Sequence, residues 1–219
     1  MRKLFLLGLI TLLILSCEHT DPNPGIDGPV VTPEPDYFPL TIGSSWVYQT
    51  VIIDTLGHET IRDVIDSVFV SKDTLIKGIL YYVFEGSNYP INGGNWGIVD
   101  ILRDSMGYIV NQHGEVKLSF ENFTDTLHVK KEKHQDQLLY TLSFKMERED
   151  VHIGVPAGSF QVINCKGTLI SAMENEDIPN PRYLNNLYAD GVGNVLKTYL
   201  YLSSPNIIEK RLVRYTIQE

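Results

Sequence analysis

Hydrophobic positions recur at every second residue along much of this chain. Tyr140, Leu142, Phe144 and Met146 alternate with Thr141, Ser143, Lys145 and Glu147. Val213, Tyr215 and Ile217 alternate in the same way with Arg214, Thr216 and Gln218. A strand points successive side chains to opposite faces, so a period of two predicts strands with one apolar and one wet face. Further runs rich in Val, Ile, Tyr, Phe and Thr predict strands near 45–53, 61–71, 74–85, 98–103, 107–111, 116–120, 125–131, 159–171 and 194–203. Parity puts Trp46 with Tyr48, Tyr82 with Phe84 and Leu142 with Phe144 on one face of the sheet. That face is either a filled core or the wall of a cavity.

The connections carry turn chemistry. Val155-Pro156-Ala157-Gly158 places proline and glycine at the second and fourth positions of a type I turn. Asp104-Ser105-Met106-Gly107 and Gln112-His113-Gly114-Glu115 predict two more hairpin turns. One stretch, Pro181 to Tyr188, has the makings of one or two helical turns. The fold class that follows is mainly β: a strongly curved antiparallel sheet (a half-barrel) or a sandwich, with at most one or two short helices.

The first residues break this pattern. Arg2 and Lys3 precede an apolar run from Leu4 to Leu15, interrupted only by Gly8 and Thr11. A bilayer span needs roughly 20 such residues, so the run is too short for an ordinary anchor and matches an export signal. It ends in Leu13-Ile14-Leu15-Ser16-Cys17, which resembles a bacterial lipobox, in which the cysteine thiol takes a diacylglycerol and becomes the acylated first residue. Residues 18–36 then hold five of the eleven prolines, Pro22, Pro24, Pro29, Pro33 and Pro35. Proline fixes φ and removes a donor, so this piece is expected to be extended. At roughly 3.1 Å per residue it would hold a domain up to about 60 Å from the lipid. The expected organisation is a signal peptide over 1–16, an acylated Cys17 with its proline-rich linker over 17–36, and one β-rich domain over 37–219.

Composition narrows the partners. The formal charge is −9, and cleavage of the leader removes two further cations, Arg2 and Lys3. So acidic a chain has no electrostatic reason to seek nucleic acid or anionic headgroups. With Cys17 acylated, Cys165 has no cysteine left to pair with, and it reads as a small packed residue of a strand. Stability must come from packing.

No catalytic constellation is legible: there is no nucleophile elbow, phosphate loop or helix-borne zinc pair. The expectation is a protein without catalytic residues, metal or cofactor. His128 and His134 flank the charged stretch "KKEKHQDQ", read as a solvated turn. Glu174, Glu176 and Asp177, followed by Asn180, lack the spacing of a calcium loop and read as a solvated acidic loop. Two loops are more informative. Residues 86–97, "GSNYPINGGNWG", carry Tyr89 and Trp96; residues 174–190, "ENEDIPNPRYLNNLYAD", carry Tyr183 and Tyr188. Aromatic rings on polar loops can stack on a sugar or fill a partner's pocket, or can fold back on the core.

Three segments carry a resemblance. "DYFPLTIGSSWVY" (36–48), "VPAGSFQV" (155–162) and "YADGVGNVLKTY" (188–199) are similar to segments of uncharacterised envelope lipoproteins of the Bacteroidetes group. The matching residues include Tyr37-Phe38-Pro39-Leu40, Gly43, Trp46 and Tyr48, then Pro156-Ala157-Gly158 and Phe160, then Val192-Gly193-Asn194-Val195. More distantly, the pattern is similar to the envelope lipoprotein-carrier fold, in which a curved antiparallel sheet half-encloses an apolar cavity. The resemblance implies a protein lipid-anchored at the outer membrane of a Gram-negative bacterium, facing either periplasm or exterior, and transfers no catalytic residue. Two functions are expected as alternatives. One is binding of an apolar or lipid-like ligand. The other is recognition of glycan or a protein partner through loops 86–97 and 174–190.

Overall fold

The computed structural model describes residues 34–87, 94–173 and 175–219, and residues 35–219 form one compact unit. Cys17, the linker as far as residue 33, Tyr89 and Glu174 lie outside the described residues. Thirteen strands and no helix are found among those described. They are β1 (Ser45–Ile53), β2 (Glu59–Ile76), β3 (Ile79–Ser87), β4 (Trp96–Asp104), β5 (Tyr108–Asn111), β6 (Val116–Ser119) and β7 (Thr126–His134). They continue with β8 (Gln137–Val155), β9 (Gly158–Ser171), β10 (Arg182–Leu184), β11 (Asn186–Ala189), β12 (Gly193–Leu200) and β13 (Ile207–Thr216).

All belong to one sheet, ordered β6-β5-β4-β3-β2-β1-β13-β12-β11-β9-β8-β7, with β10 paired to β9 off this path. Every pairing is antiparallel, and the pair β1–β13 joins the first strand to the last, so the sheet is one long curl. Its two end strands do not pair. β6 comes close to β7 without joining its ladder, and on β9 the Cys165 thiol donates to the Lys117 carbonyl at 3.4 Å. The tip of the β8–β9 hairpin also reaches across, the Ala157 N–H donating to the Leu212 carbonyl at 3.0 Å. The result is an almost closed barrel, which settles half-barrel against sandwich in favour of the curl.

The apolar parity of the strands is what curls the sheet. Inward-facing Trp46, Val70, Phe84, Met146, Val195 and Leu212 are all buried in a common core. Closing the barrel takes these side chains out of water, at roughly 1.5–3 kcal/mol for each fully buried one. The segment before β1 contributes to this core: Phe38 packs its ring 5.6 Å from that of Phe84 and 6.0 Å from that of Tyr188.

Several expectations need correction. Residues 181–188 form β10 and β11 rather than helical turns, because Asn186–Ala189 complete the ladder between β9 and β12. The second half of the stretch 174–190 is therefore mostly sheet, and the stretch is not one long excursion. The turn between β2 and β3 is Lys77-Gly78, a few residues later than the strand pattern suggests. "KKEKHQDQ" is mostly strand: its lysines extend β7 and only Gln135-Asp136 turn. Both turns have positive φ at their two central residues, 52° and 79° at the first and 47° and 64° at the second. Such turns match the right-handed twist of a tight hairpin.

Candidate functional site

Inside the curl is a cavity of about 470 Å³. That volume falls in the range of roughly 300–1,000 Å³ typical of small-molecule sites. Trp46, Tyr48, Phe84 and Phe144 line it, so four of the six residues matched by parity form a cavity wall. Tyr82 packs half-buried against the core, and Leu142 is half-buried beside Gly167.

Strand register grades the wall from apolar to charged. At one level Trp46 sits with Phe38, Pro39, Phe84 and Tyr188. The Trp46 indole N–H donates to the Val192 carbonyl at 2.6 Å, which satisfies its one buried donor. Gly193 makes this possible: its φ is +94°, and a Cβ there would stand 3.3 Å from Trp46 Nε1. Two residues along β1, Tyr48 donates its hydroxyl to the Asn194 carbonyl at 2.9 Å. Two residues further, Thr50 lies opposite Lys210 of β13, which in turn lies opposite Lys197 of β12.

The charged level has a definite pairing. Lys210 Nζ stands 2.6 Å from Asp66 Oδ2, with side-chain exposures of 6% and 1%. Burial pulls the Lys210 ammonium below its usual pKa, against the upward influence of Asp66. Asp100 lines the cavity too, and burial pushes its carboxyl above the usual range, with Lys117 opposing. Burial likewise keeps the phenols of Tyr48 and Tyr188 neutral by raising them far above their ordinary value, and pushes the Cys165 thiol up to about 12. A phenol or thiol held neutral in this way is a poor nucleophile.

Toward β6 and β7 the wall becomes exposed. Lys117 pairs with Glu115 at 2.9 Å, and Lys130 pairs with Glu132 at 3.0 Å. Asn111 also donates to Glu115 at 2.8 Å, and these contacts hold the Glu115 carboxyl below its usual pKa, the Lys117 hydrogen bond first. Glu115, Lys117, His128 and Lys130 line the cavity on this side.

The residues singled out from sequence do not form one site. Trp96 is 61% exposed and stacks near Phe69, ring centroids 5.7 Å apart. Tyr183 is 51% exposed, with Lys166 Nζ 5.2 Å from its ring centre. Tyr188 is 8% exposed and belongs to the cavity wall, so it is a binding candidate from inside rather than on a surface loop. The polar members of the wall, Asp66, Asp100, Lys117, Lys197 and Lys210, were not singled out. Only parity gives a signal for them: Asp66 shares the phase of inward Val68 and Val70, and Lys210 that of Leu212.

Among the described residues no group of three or more His, Cys, Asp or Glu side chains is placed to hold a metal ion. No protein-family model matches the chain, and no curated protein matches it. Two solved structures are similar to it. One is described as an exported protein with a YmcC-like fold from Bacteroides fragilis NCTC 9343. It is 14% identical with a TM-score of 0.47, over 83% of this chain and 99% of that one. The other is described as a lipoprotein from Parabacteroides distasonis ATCC 8503. It is 15% identical with a TM-score of 0.49, over 84% of this chain and all of that one.

Proposed function

We propose that this protein is a lipid-anchored, non-enzymatic envelope protein whose curled sheet holds an apolar, lipid-like ligand. The observation that carries the reading is the cavity of about 470 Å³, walled by Trp46, Tyr48, Phe84, Phe144 and Tyr188. A filled core would leave no such space, since protein interiors pack as densely as organic crystals. Ligand sites of this kind are mostly apolar with a few placed polar groups, which the gradient from Trp46 to Lys210 matches. The neutral Tyr48 phenol and Cys165 thiol in the wall suit binding rather than catalysis.

The test is a titration with the neutral apolar fluorophore N-phenyl-1-naphthylamine, run on the full chain and on residues 35–219. Saturable binding that weakens in Val68→Phe, which adds a ring to the cavity wall, supports the reading. No saturable binding to either form overturns it.

The tether rests on Arg2, Lys3, the apolar run and Cys17. Two or three acyl chains suffice for stable attachment without a transmembrane helix. Cys17→Ala should abolish incorporation of labelled fatty acid; labelling that persists in the alanine variant would refute the lipobox.

A second reading, recognition of glycan or a protein partner, is favoured by one observation. Trp96 and Ile98 of β4 and Ile65 of β2 are exposed at 61%, 61% and 56%, and the ring of Trp96 lies 5.7 Å from that of Phe69. Protection of Trp96 from oxidation by envelope extract, with no fluorophore binding to the cavity, would put it first.

A further inference from the structure

We propose that the ligand is a chain with one anionic end, an acyl carboxylate, and that Lys197 receives that end inside the cavity. The inference rests on the cavity-binding reading and adds the chemistry of the head group.

It starts from a mismatch of charge. The chain carries a formal charge of −9, yet four lysines line its cavity against three carboxylates, Asp66, Asp100 and Glu115. Three of those lysines have partners: Lys210 with Asp66, Lys117 with Glu115, and Lys130 with Glu132. Lys197 stands apart. Among the described residues it forms no ion pair with a carboxylate within 4.0 Å, and its ammonium lies over the ring of Tyr199, 5.4 Å from Nζ to centroid. It is half-buried on β12 and opposite Lys210, whose ammonium it makes costlier to keep charged.

The wall carboxylate not already in an ion pair is Asp100, which feels both Lys117 and Lys197. It makes no ion pair within 4.0 Å among the described residues; its Oδ1 accepts the Ile101 N–H at 3.0 Å, and burial raises its carboxyl above the usual range, with Lys117 and that N–H opposing. A partly desolvated ammonium without a close anion is unfavourable unless something supplies one. A ligand carboxylate at Lys197 would do so, and would also face the Lys210 ammonium across the ladder.

The distance to the apolar end suits a chain. From Trp46 to Thr50, which is level with Lys210 and Lys197, is four residues of β1, or roughly 14 Å at about 3.4 Å per residue. A head at Lys197 therefore lets an alkyl tail run past Tyr48 to Phe38, Trp46, Phe84 and Tyr188. A neutral lipid would bury the same tail and leave the ammonium as it is.

The test compares dodecanoate, dodecanol and dodecyl phosphate as displacers of N-phenyl-1-naphthylamine from the full chain. The expectation is that dodecanoate binds at least about tenfold more tightly than dodecanol, as a charge-assisted hydrogen bond provides. Lys197→Gln should bring the two within about twofold, Lys197→Arg should restore the preference, and Lys72→Gln on the exposed outside should leave it intact. Melting curves for each variant separate lost recognition from lost folding. Should Lys197→Gln not fold, the decision passes to wild type and Lys197→Arg.

The remaining outcomes are decisive as well. Dodecyl phosphate binding more tightly than dodecanoate, and losing that advantage in Lys197→Gln, supports the anion site but replaces the carboxylate with a phosphate-bearing lipid. Equal binding of dodecanoate and dodecanol to wild type overturns the head-group assignment and leaves the cavity reading standing. A preference that survives Lys197→Gln removes Lys197 from the role. If the fluorophore itself does not bind, both readings fall together.

Discussion

Lys210 of the last strand and Asp66 of the second meet at 2.6 Å, both almost wholly buried, although β1 runs between their strands. The pair ties the wall together across the junction where the first and last strands join. Its energetics are asymmetric: two buried ions attract strongly but cost desolvation, whereas one alone keeps only the cost. Asp66→Asn should therefore destabilise the domain by about 3–5 kcal/mol. The double replacement Asp66→Leu with Lys210→Met should come back to near neutral. Urea unfolding of the single and double variants measures both, and additive losses would show that the pair is not the unit.

Arg182 offers a second test of how the curl is held. Its guanidinium donates to four backbone carbonyls, those of Tyr201 and Ser204 at 2.8 Å, Pro205 at 3.1 Å and Asn206 at 2.8 Å. One side chain on β10 thus organises the whole connection between β12 and β13. The planar fork of arginine makes this possible, and lysine cannot reproduce it. Arg182→Lys should cost about 1.5–3 kcal/mol, the worth of a hydrogen bond to a charged group. It should also open residues 201–206 to proteolysis before the rest of the domain unfolds. Cleavage at the same rate as wild type would refute the clamp.

Much of this architecture is legible in the sequence, and the failures have physical causes. The proline-glycine turn at 155–158 stands where its chemistry places it, and the glycine turns read at 104–107 and 112–115 lie one residue away, at 105–108 and 111–114. The charged stretch 130–137 reads as one broad turn; aspartate tolerates positive φ but glutamine is an unusual choice for it, and the pairing of β7 with β8 narrows the turn to Gln135-Asp136. Tyr188 reads as a loop aromatic because its neighbours Asn185 and Asn186 are polar. In the fold Asn186 is buried, donating from Nδ2 to the Cys165 carbonyl at 2.8 Å. The charged wall is the hardest part to see. An inward lysine such as Lys197 looks like any wet position of a strand, and only the register against Lys210 reveals which way it faces.

Cys165 gives a pH prediction. Its thiol is buried in the wall, and burial pushes it up to about 12, with Lys197 opposing. In the unfolded chain the same thiol ionises near its ordinary value of roughly 8.5. Between these values the unfolded state has lost a proton that the folded state keeps, so stability falls as pH rises from roughly 8.5 toward about 12. Residues 35–219 contain no other cysteine, so the thiol can be followed alone. Reaction with a disulfide reagent at pH 8 should be slow in the native protein and fast in urea, and Cys165→Ala should flatten the alkaline loss of stability. Rapid native labelling would show that the wall opens readily.

Phe144 and Leu212 separate a cavity wall from a filled core. Both point inward, yet Leu212 is completely buried in the core while Phe144 is only half-buried and faces the cavity. Gly167, opposite it on β9, leaves room for the ring: a Cβ there would stand 3.0 Å from Phe144 Cε1. Truncating a fully packed side chain costs its transfer energy plus that of the void left behind, about 2–5 kcal/mol for Leu to Ala. Leu212→Ala should fall in that range. A Phe to Ala change in a packed core costs about 3–5 kcal/mol, but Phe144 already borders empty space and has fewer contacts to lose. Phe144→Ala should therefore cost clearly less, about 1–2 kcal/mol, even though it removes more atoms than Leu212→Ala. The ligand should reverse the order. Phe144→Ala removes a wall the tail would lie against, so affinity for N-phenyl-1-naphthylamine should drop several-fold, whereas Leu212→Ala should leave it near wild type under conditions where the protein stays folded. Denaturant unfolding beside a fluorophore titration gives both numbers for both variants. A loss of 3 kcal/mol or more in Phe144→Ala with unchanged probe affinity would mean the ring is packing a core, and the cavity would lose its claim to a ligand.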